Sequence, residues 1–338
     1  MKRLAWIGRG AAWLALGLLV LGTAAWATLA IYYSNLPGSL WRAGAAVVFG
    51  VGTLALFALV RPWRRALQGY IVLLAAVMAW WWAIPASNDR DWQPDVAVLL
   101  SATIEGDRVS LHNIRNNEYR TESDFTPRYY DKTFDLRTLD AVDLIAVYWM
   151  GDAIAHTMLS FGFGGEYVTF SIETRKERGE GYSAIEGFFK QYELIYVAGD
   201  ERDLIRVRTN VRRPPEDVYL YQTRIRPQRA RDLFLEYLNE INRLNREPAW
   251  YNTLTTNCTT DVMRNLRLAG GTVPRSWKIL LSGYLPEYIY ERGGLNTSLP
   301  FPELRRRSLI NARARAADQD PAFSRRIRDG LPERPGAG

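Results

Sequence analysis

Hydrophobic and polar positions divide the chain near residue 88. Before that point three apolar runs are separated by short polar breaks. Ala11 to Tyr32 is a charge-free run of 22 residues, Ala43 to Val60 is one of 18, and the third, within Ala66 to Asn88, is centred on Gly69 to Ala86. As a helix the first run rises roughly 33 Å, just past a hydrocarbon core of about 30 Å. Only a closed backbone ladder survives in lipid, so the pattern predicts three transmembrane helices at about 11–32, 43–60 and 67–86. Lys2, Arg3 and the small residues around Ala24 to Ala27 imitate a signal peptide. The run is too long for one, because signal h-regions span about 7 to 15 residues, and it reads as an uncleaved anchor.

After Asp89 the pattern changes to short β-branched and aromatic runs, which predict strands. They cover Val96 to Ser101, Arg108 to Ile114, Tyr129 to Leu136, Leu144 to Met150, Ile154 to Phe163, Tyr167 to Thr174, Leu194 to Val197, Leu204 to Thr209 and Val218 to Thr223. Leu144 to Phe163 raises the question of a fourth span. Gly151, Asp152 and His156 interrupt it and favour two strands and a turn. Pro227 to Asn245 predicts a helix whose stripe of Leu233, Phe234, Tyr237, Leu238, Ile241 and Leu244 faces a core. A second helix starts near Cys258 and stops at Gly270-Gly271. The expectation is one α+β domain over 89–301, followed by an Arg/Ala/Pro-rich tail over 302–338 that reads as mobile.

Charge sharpens this division. The formal net charge is +7, and residues 1–88 carry Lys2, Arg3, Arg9, Arg42, Arg61, Arg64 and Arg65 with no acidic residue at all. The rest of the chain is neutral, so the excess belongs to the anchor and not to a nucleic-acid surface. By the positive-inside rule the amino terminus and the Arg61 loop lie in the cytoplasm, and three crossings put the domain outside. That topology predicts a multi-pass membrane protein with an exported domain.

Few residues are available for chemistry. The chain has two histidines, His112 and His156, and one cysteine, Cys258. That is too few N/S ligands for a zinc site, no GxSxG elbow is present, and neither metal nor cofactor is expected. Asn257 or Thr256 can cap the helix after it, placing Cys258 in a first turn where the positive dipole end favours a thiolate. The amides around Asn257 and Thr259 could there form an oxyanion hole. An exported domain would keep a lone thiol only for a reason, although a small buried core cysteine is the alternative.

A register argument adds His156. Gly164-Gly165 is a two-residue hairpin turn signal, which pairs positions whose numbers sum to 329. Phe161 then faces Val168, Leu159 faces Phe170, Met158 faces Ser171 and His156 faces Glu173. A carboxylate across from an imidazole fixes its tautomer, and a one-residue bulge would substitute Ser171 or Thr174. Trp250 and Tyr251, just before Cys258, could line a substrate pocket or simply pack in the core. Asp200-Glu201-Arg202-Asp203 reads as a solvated turn rather than a calcium site.

These stretches together resemble a known family. His156-Thr157-Met158-Leu159-Ser160-Phe161-Gly162-Phe163, Ser171-Ile172-Glu173-Thr174-Arg175, Tyr192 to Val197, Asp200 to Asp203 and Trp250 through Asn257-Cys258-Thr259-Thr260 look like the N-terminal periplasmic domain of the Lnb-type lipoprotein N-acyltransferases, over roughly Asp95 to Leu268. The resemblance implies a circularly permuted papain-like fold, of the NlpC/P60 kind, with Cys258 as nucleophile and His156 as base, in a bacterial inner-membrane protein whose domain is periplasmic and whose partners are membrane lipids and lipoproteins. Glu173 rests on the register argument alone. Lnb-type enzymes carry membrane helices after the domain, whereas here three precede it, which leaves the substrate open. The expected function is a thiol acyltransferase that moves an acyl chain from a lipid ester through a Cys thioester to an amine. A periplasmic cysteine hydrolase (cell-wall amidase, peptidase or lipase) and a non-catalytic envelope binding module are the alternatives.

Overall fold

In the computed structural model residues 2–334 are described, with side chains from Gly10 onward. Helices α1 (Lys2–Tyr32), α2 (Ser39–Leu59) and α3 (Trp63–Ala83) account for the three apolar runs. Each contains a stretch long and apolar enough to cross a membrane, and most of its large side chains face outward. Such a surface is stable only in lipid. Small residues and a few polar groups join the helices. Thr23 Oγ1 lies 2.7 Å from Tyr70 Oη, and Trp26 meets Trp81 edge to face.

Ser183–Gln191 clusters with these helices, although it lies far along the chain. Lys190 Nζ donates to the carbonyls of Trp81 (2.9 Å) and Ile84 (3.1 Å) and sits 4.5 Å from the Trp81 ring. It thereby places a cation at the carboxyl end of α3, where the helix dipole favours one. Gln191 Nε2 donates to Tyr33 O, and Phe189 stacks on Tyr33.

The second unit, Ser87–Tyr182 with Tyr192–Gly338, is built on one large sheet. Its strands are β1 (Ser101–Glu105), β2 (Arg108–Arg115), β3 (Glu118–Tyr119), β4 (Phe125–Thr126), β5 (Tyr129–Asp135), β6 (Leu139–Tyr148), β7 (Ala155–Phe163), β8 (Glu166–Arg175) and β9 (Glu193–Gly199). A short helix α4 (Glu201–Leu204) follows, then β10 (Asp217–Gln222). The sheet order is β1-β2-β9-β8-β7-β6-β10 with β5 against β2, while β3 and β4 form a separate pair. All neighbours in the large sheet are antiparallel except β2 and β9. Leu144 to Phe163 is therefore two strands and a turn, and its membrane-like hydropathy has a local cause. Both sheet faces are covered, so successive residues are apolar in either direction. Leu144, Ala146 and Leu159 pack on one side; Ile145, Val147 and Met158 pack on the other.

The first face is covered by α5 (Pro227–Arg246) and α6 (Cys258–Leu268), with Phe234, Tyr237, Val262 and Met263 packed on Phe161 and Phe170. The elements α7 (Trp277–Leu280), α8 (Leu285–Glu291), α9 (Phe301–Ser308), α10 (Asn311–Ala316) and α11 (Phe323–Arg326) complete the chain. The expectation of a mobile tail over 302–338 is corrected for its described part. Ile310, Ala314, Ala317, Phe323 and Ile327 are buried and cover the second sheet face. The arginines that suggest solvation are partly internal: Arg328 bridges Asp143 and Glu201, and Arg334 also reaches Asp143.

Three further expectations change. Leu204 to Thr209 is not a strand but α4 followed by a π-helical turn over Val207–Val211. Asp200 caps α4 by accepting from Arg202 N, and a short buried apolar run cannot reveal its own period. The predicted strand at Val96 to Ser101 begins only at Ser101. Nor is Asp200 to Asp203 a solvated turn, because Glu201 and Asp203 are fully buried and paired with Arg328 and Arg115.

Candidate active site

The site is built where β7 and β8 part. Gly164 and Gly165 adopt φ of 60° and 95°, the left-handed values that a two-residue hairpin turn needs. The register that follows is Phe161 with Val168, Leu159 with Phe170 and Met158 with Ser171, where the ladder stops. Beyond it β7 continues against β6 to Ala155, while β8 continues against β9 to Arg175. His156 and Glu173 thus stand on two strands that no longer pair, and a gap opens between them.

Cys258 is delivered to this gap by a braced loop. Tyr251 N donates to Tyr192 O, which ties the loop to the start of β9. Asn252 Oδ1 accepts from Leu254 N and Thr255 N and folds the turn ahead of α6. Asn257 then caps α6: its Oδ1 accepts from Thr259 N and Thr260 N, both at 2.9 Å, and Thr260 Oγ1 accepts from Asn257 N in return. This is a full capping box. It fixes Cys258 in the first turn and changes the expected oxyanion arrangement, because the Thr259 amide is committed to the cap. Thr259 instead places its hydroxyl 3.9 Å from the sulfur and 3.2 Å from Thr157 Oγ1. The Thr157 N–H donates to the sulfur.

On the far side of His156 runs a polar chain. His156 Nε2 lies 2.6 Å from Ser171 Oγ and 3.2 Å from Glu173 Oε1, and Ser171 Oγ donates to the same carboxylate at 2.6 Å. Arg208 Nη2 donates to Glu173 Oε1 at 3.0 Å and Nη1 to Leu204 O at 2.7 Å. With Nε2 engaged there, Nδ1 is left for the thiol, with which the imidazole interacts directly.

Electrostatics follow from this packing. Burial pushes the Cys258 thiol up, but the His156 charge and hydrogen bond, with the Thr157 amide and Thr259 hydroxyl, outweigh it and leave the thiol below its ordinary value. Burial alone would lower His156; the Glu173 and Cys258 charges reverse that and raise it to about 9. Glu173 is held well below the usual carboxylate range, because His156, Arg208 and Ser171 overcome its desolvation. Both shifts act in one direction, towards a thiolate beside an imidazolium. The imidazole side chain keeps 13% of its surface exposed and Glu173 keeps 26%, so a substrate can reach them.

The structure therefore brings Cys258, His156 and Glu173 together, and Ser171 joins them rather than replacing Glu173. Ser171 and Glu173 are two apart on one strand and share a face. Tyr251 lies beside the site, within electrostatic reach of Cys258, and hydrogen-bonds Tyr182. Trp250 lies under the Arg90 guanidinium, 5.3 Å from its ring centre. His112 sits elsewhere, on an exposed edge with Thr103 and Asp131. Arg208 and the Thr157 amide were missed by sequence reasoning. A hydrogen-bonding backbone group leaves no trace in residue type, and Arg208 lay inside the run misread as a strand. Among the described residues no group of three or more His, Cys, Asp or Glu could hold a metal ion.

Residues 125–283 match the family model of the Lnb N-terminal periplasmic domain. The matched stretch starts at β4 and contains His156, Ser171, Glu173, Arg208 and Cys258, and for it the resemblance read from the motifs is shown. It begins later than Asp95 and runs on past Leu268. Together with the three apolar helices, it fits a membrane protein with a periplasmic domain. No curated protein and no solved structure matches the chain.

Proposed function

We propose that the protein is a membrane-anchored thiol acyltransferase, with its amino terminus in the cytoplasm and its catalytic domain at the outer face of the bacterial inner membrane. The observation that carries this reading is the continuous chain from Cys258 through His156 to Ser171, Glu173 and Arg208, which favours a thiolate in a partly open gap. A circularly permuted papain-like relationship is part of the same proposal, since His156 precedes Cys258 and the thiol heads a helix packed on the sheet.

The Cys258 thiolate attacks the carbonyl carbon of a lipid ester, and the developing oxyanion is met by N–H donors around the sulfur, among them that of Thr157. The His156 imidazolium gives its proton to the departing alkoxide as the carbon–oxygen bond breaks, leaving a Cys258 thioester and a neutral imidazole. An amine then attacks the thioester. Imidazole takes the proton it sheds, and collapse of the adduct releases an amide and restores the thiolate. Glu173, hydrogen-bonded through Ser171, keeps the ring oriented and steadies its charge. The helices support a lipid substrate, because they hold the domain where esters of the bilayer lie.

Incubating the full chain with a phospholipid bearing a labelled acyl chain, then mapping the protein by mass spectrometry, tests this. The acyl mass is expected on the Cys258 peptide and is expected to leave on addition of a primary amine. An enzyme that turns over without ever labelling Cys258 excludes the mechanism, and release by water alone makes it a hydrolase.

A further inference from the structure

A second cavity lies on the first sheet face, away from the thiol. Leu144, Leu159, Leu233, Val262, Met263 and Val273 are among its walls, and its volume is about 410 Å³. That is within the roughly 300–1,000 Å³ of small-molecule sites. Leu159 is three residues along β7 from His156, about 10 Å. Leu266, also in the lining, is eight residues along α6 from Cys258, about 12 Å.

The lining has an unusual charge balance. It includes Arg224, Arg226, Arg229 and Arg292 and no Asp or Glu. None of the four forms an ion pair among the described residues, whereas most other arginines of the domain do. Arg229 Nη1 donates to Gly270 O and Arg292 lies over the Tyr288 ring, while Arg224 and Arg226 are exposed. Arg226 is also the residue that precedes α5, a 20-residue helix with no side-chain cap and no acid in its first turn. Its free N–H groups and dipole therefore add to the positive potential there. An apolar interior with four guanidiniums that no carboxylate neutralises complements a ligand that is an alkyl chain with an anion at one end.

We propose that this cavity binds a single long-chain fatty acid, with the chain against Leu144, Leu159 and Met263 and the carboxylate held by Arg226 and Arg229. The volume suits one chain with a small head. Guanidinium pairs carboxylates through two parallel hydrogen bonds, which a neutral alcohol of the same length cannot form. The site needs no chemistry at Cys258, so it stands or falls apart from the acyltransferase reading.

A photoreactive palmitate carrying a diazirine on its chain, applied to the full-length Cys258→Ala protein in detergent, provides the test. Crosslinks are expected on the peptide spanning residues 262–273. Excess unlabelled palmitate should compete, and hexadecanol should compete at least about tenfold less well, as expected when one charge-assisted hydrogen bond or more is lost. The Arg226→Gln/Arg229→Gln double variant should lose about tenfold in labelling while keeping its circular dichroism. Leu266→Trp, which fills a partly buried wall, should block labelling even if the arginine variant misfolds. Labelling confined to the membrane helices, equal competition by hexadecanol, or stronger competition by a lysophosphatidate of the same chain length would each overturn the proposal.

Discussion

The domain contains the same polar trio twice, with different endings. Ser160 Oγ donates to Glu201 Oε1 at 2.6 Å, and Glu201 is gripped by Arg328. Ser171 Oγ donates to Glu173 Oε1 at 2.6 Å, and Glu173 is gripped by Arg208. In the first trio the remaining valence is closed by permanent charge. Arg328 also takes Asp143, Arg334 adds a further guanidinium, and both acids have no exposed surface. In the second, the serine faces an imidazole that faces a thiol, and the gap between β7 and β8 leaves both His156 and Glu173 partly open. A buried carboxylate matched by arginine alone is a fixed structural joint. Placed behind a titratable ring, the same carboxylate can tune a proton.

This comparison can be broken most severely at its reactive end. Cys258→Ala should abolish acyl transfer, by about 10³-fold or more, and leave the thermal midpoint nearly unchanged, as read by labelled-lipid turnover beside a melting curve. Arg328→Ala should do the opposite. Fully buried Glu201 would lose its cation and Asp143 would keep only Arg334, at a cost of about 3–5 kcal/mol, measurable as a lowered denaturation midpoint of the domain. Glu173→Gln keeps the shape of the second trio and removes its charge. Turnover is expected to fall about 10- to 100-fold, the scale of one charge-assisted hydrogen bond, with a small change in stability.

The smallest perturbation is pH itself. The active pair needs a deprotonated thiol and a protonated ring. Because the thiol lies below its ordinary value, alkylation of Cys258 by iodoacetamide should persist to lower pH than alkylation of a free thiol and slow as acid restores the proton. Because His156 is raised to about 9, turnover should decline as pH climbs through about 9 and the ring loses its charge. In Glu173→Gln that alkaline limb should move down, since the anion raising the ring is gone. An unmoved limb would detach Glu173 from the histidine.

Sequence reasoning reached the second trio further than the first, and the reason is distance along the chain. The Gly164-Gly165 turn sets a local hairpin, so counting outward aligned Met158 with Ser171 and left His156 and Glu173 as the next inward-facing pair. Cys258 carried its own helix-start signal in Asn257 and Thr260. Arg208 did not, because Leu204 to Thr209 alternates too little to separate a strand from a buried helical turn. Nothing local connects Asp143 to Arg328, 185 positions away. The Ile310 to Ile327 apolar positions are spaced as on short helices, but the arginines between them made the segment read as solvated. An arginine that neutralises a buried acid has the same letter as one that floats in water.

The excursion of Ser183–Gln191 has a consequence for anyone cutting this molecule into parts. The nine residues belong by sequence to the stretch between two strands of the sheet, yet Phe189 and Lys190 find their ring and carbonyl partners on Tyr33 and Trp81. Truncation after Ala86 would therefore strip a loop that starts right after Tyr182 and ends right before Tyr192, the residue whose carbonyl anchors Tyr251. The partners of this loop are on the anchor helices, so a fragment trimmed for solubility would expose an aromatic ring and a lysine that the whole chain keeps matched.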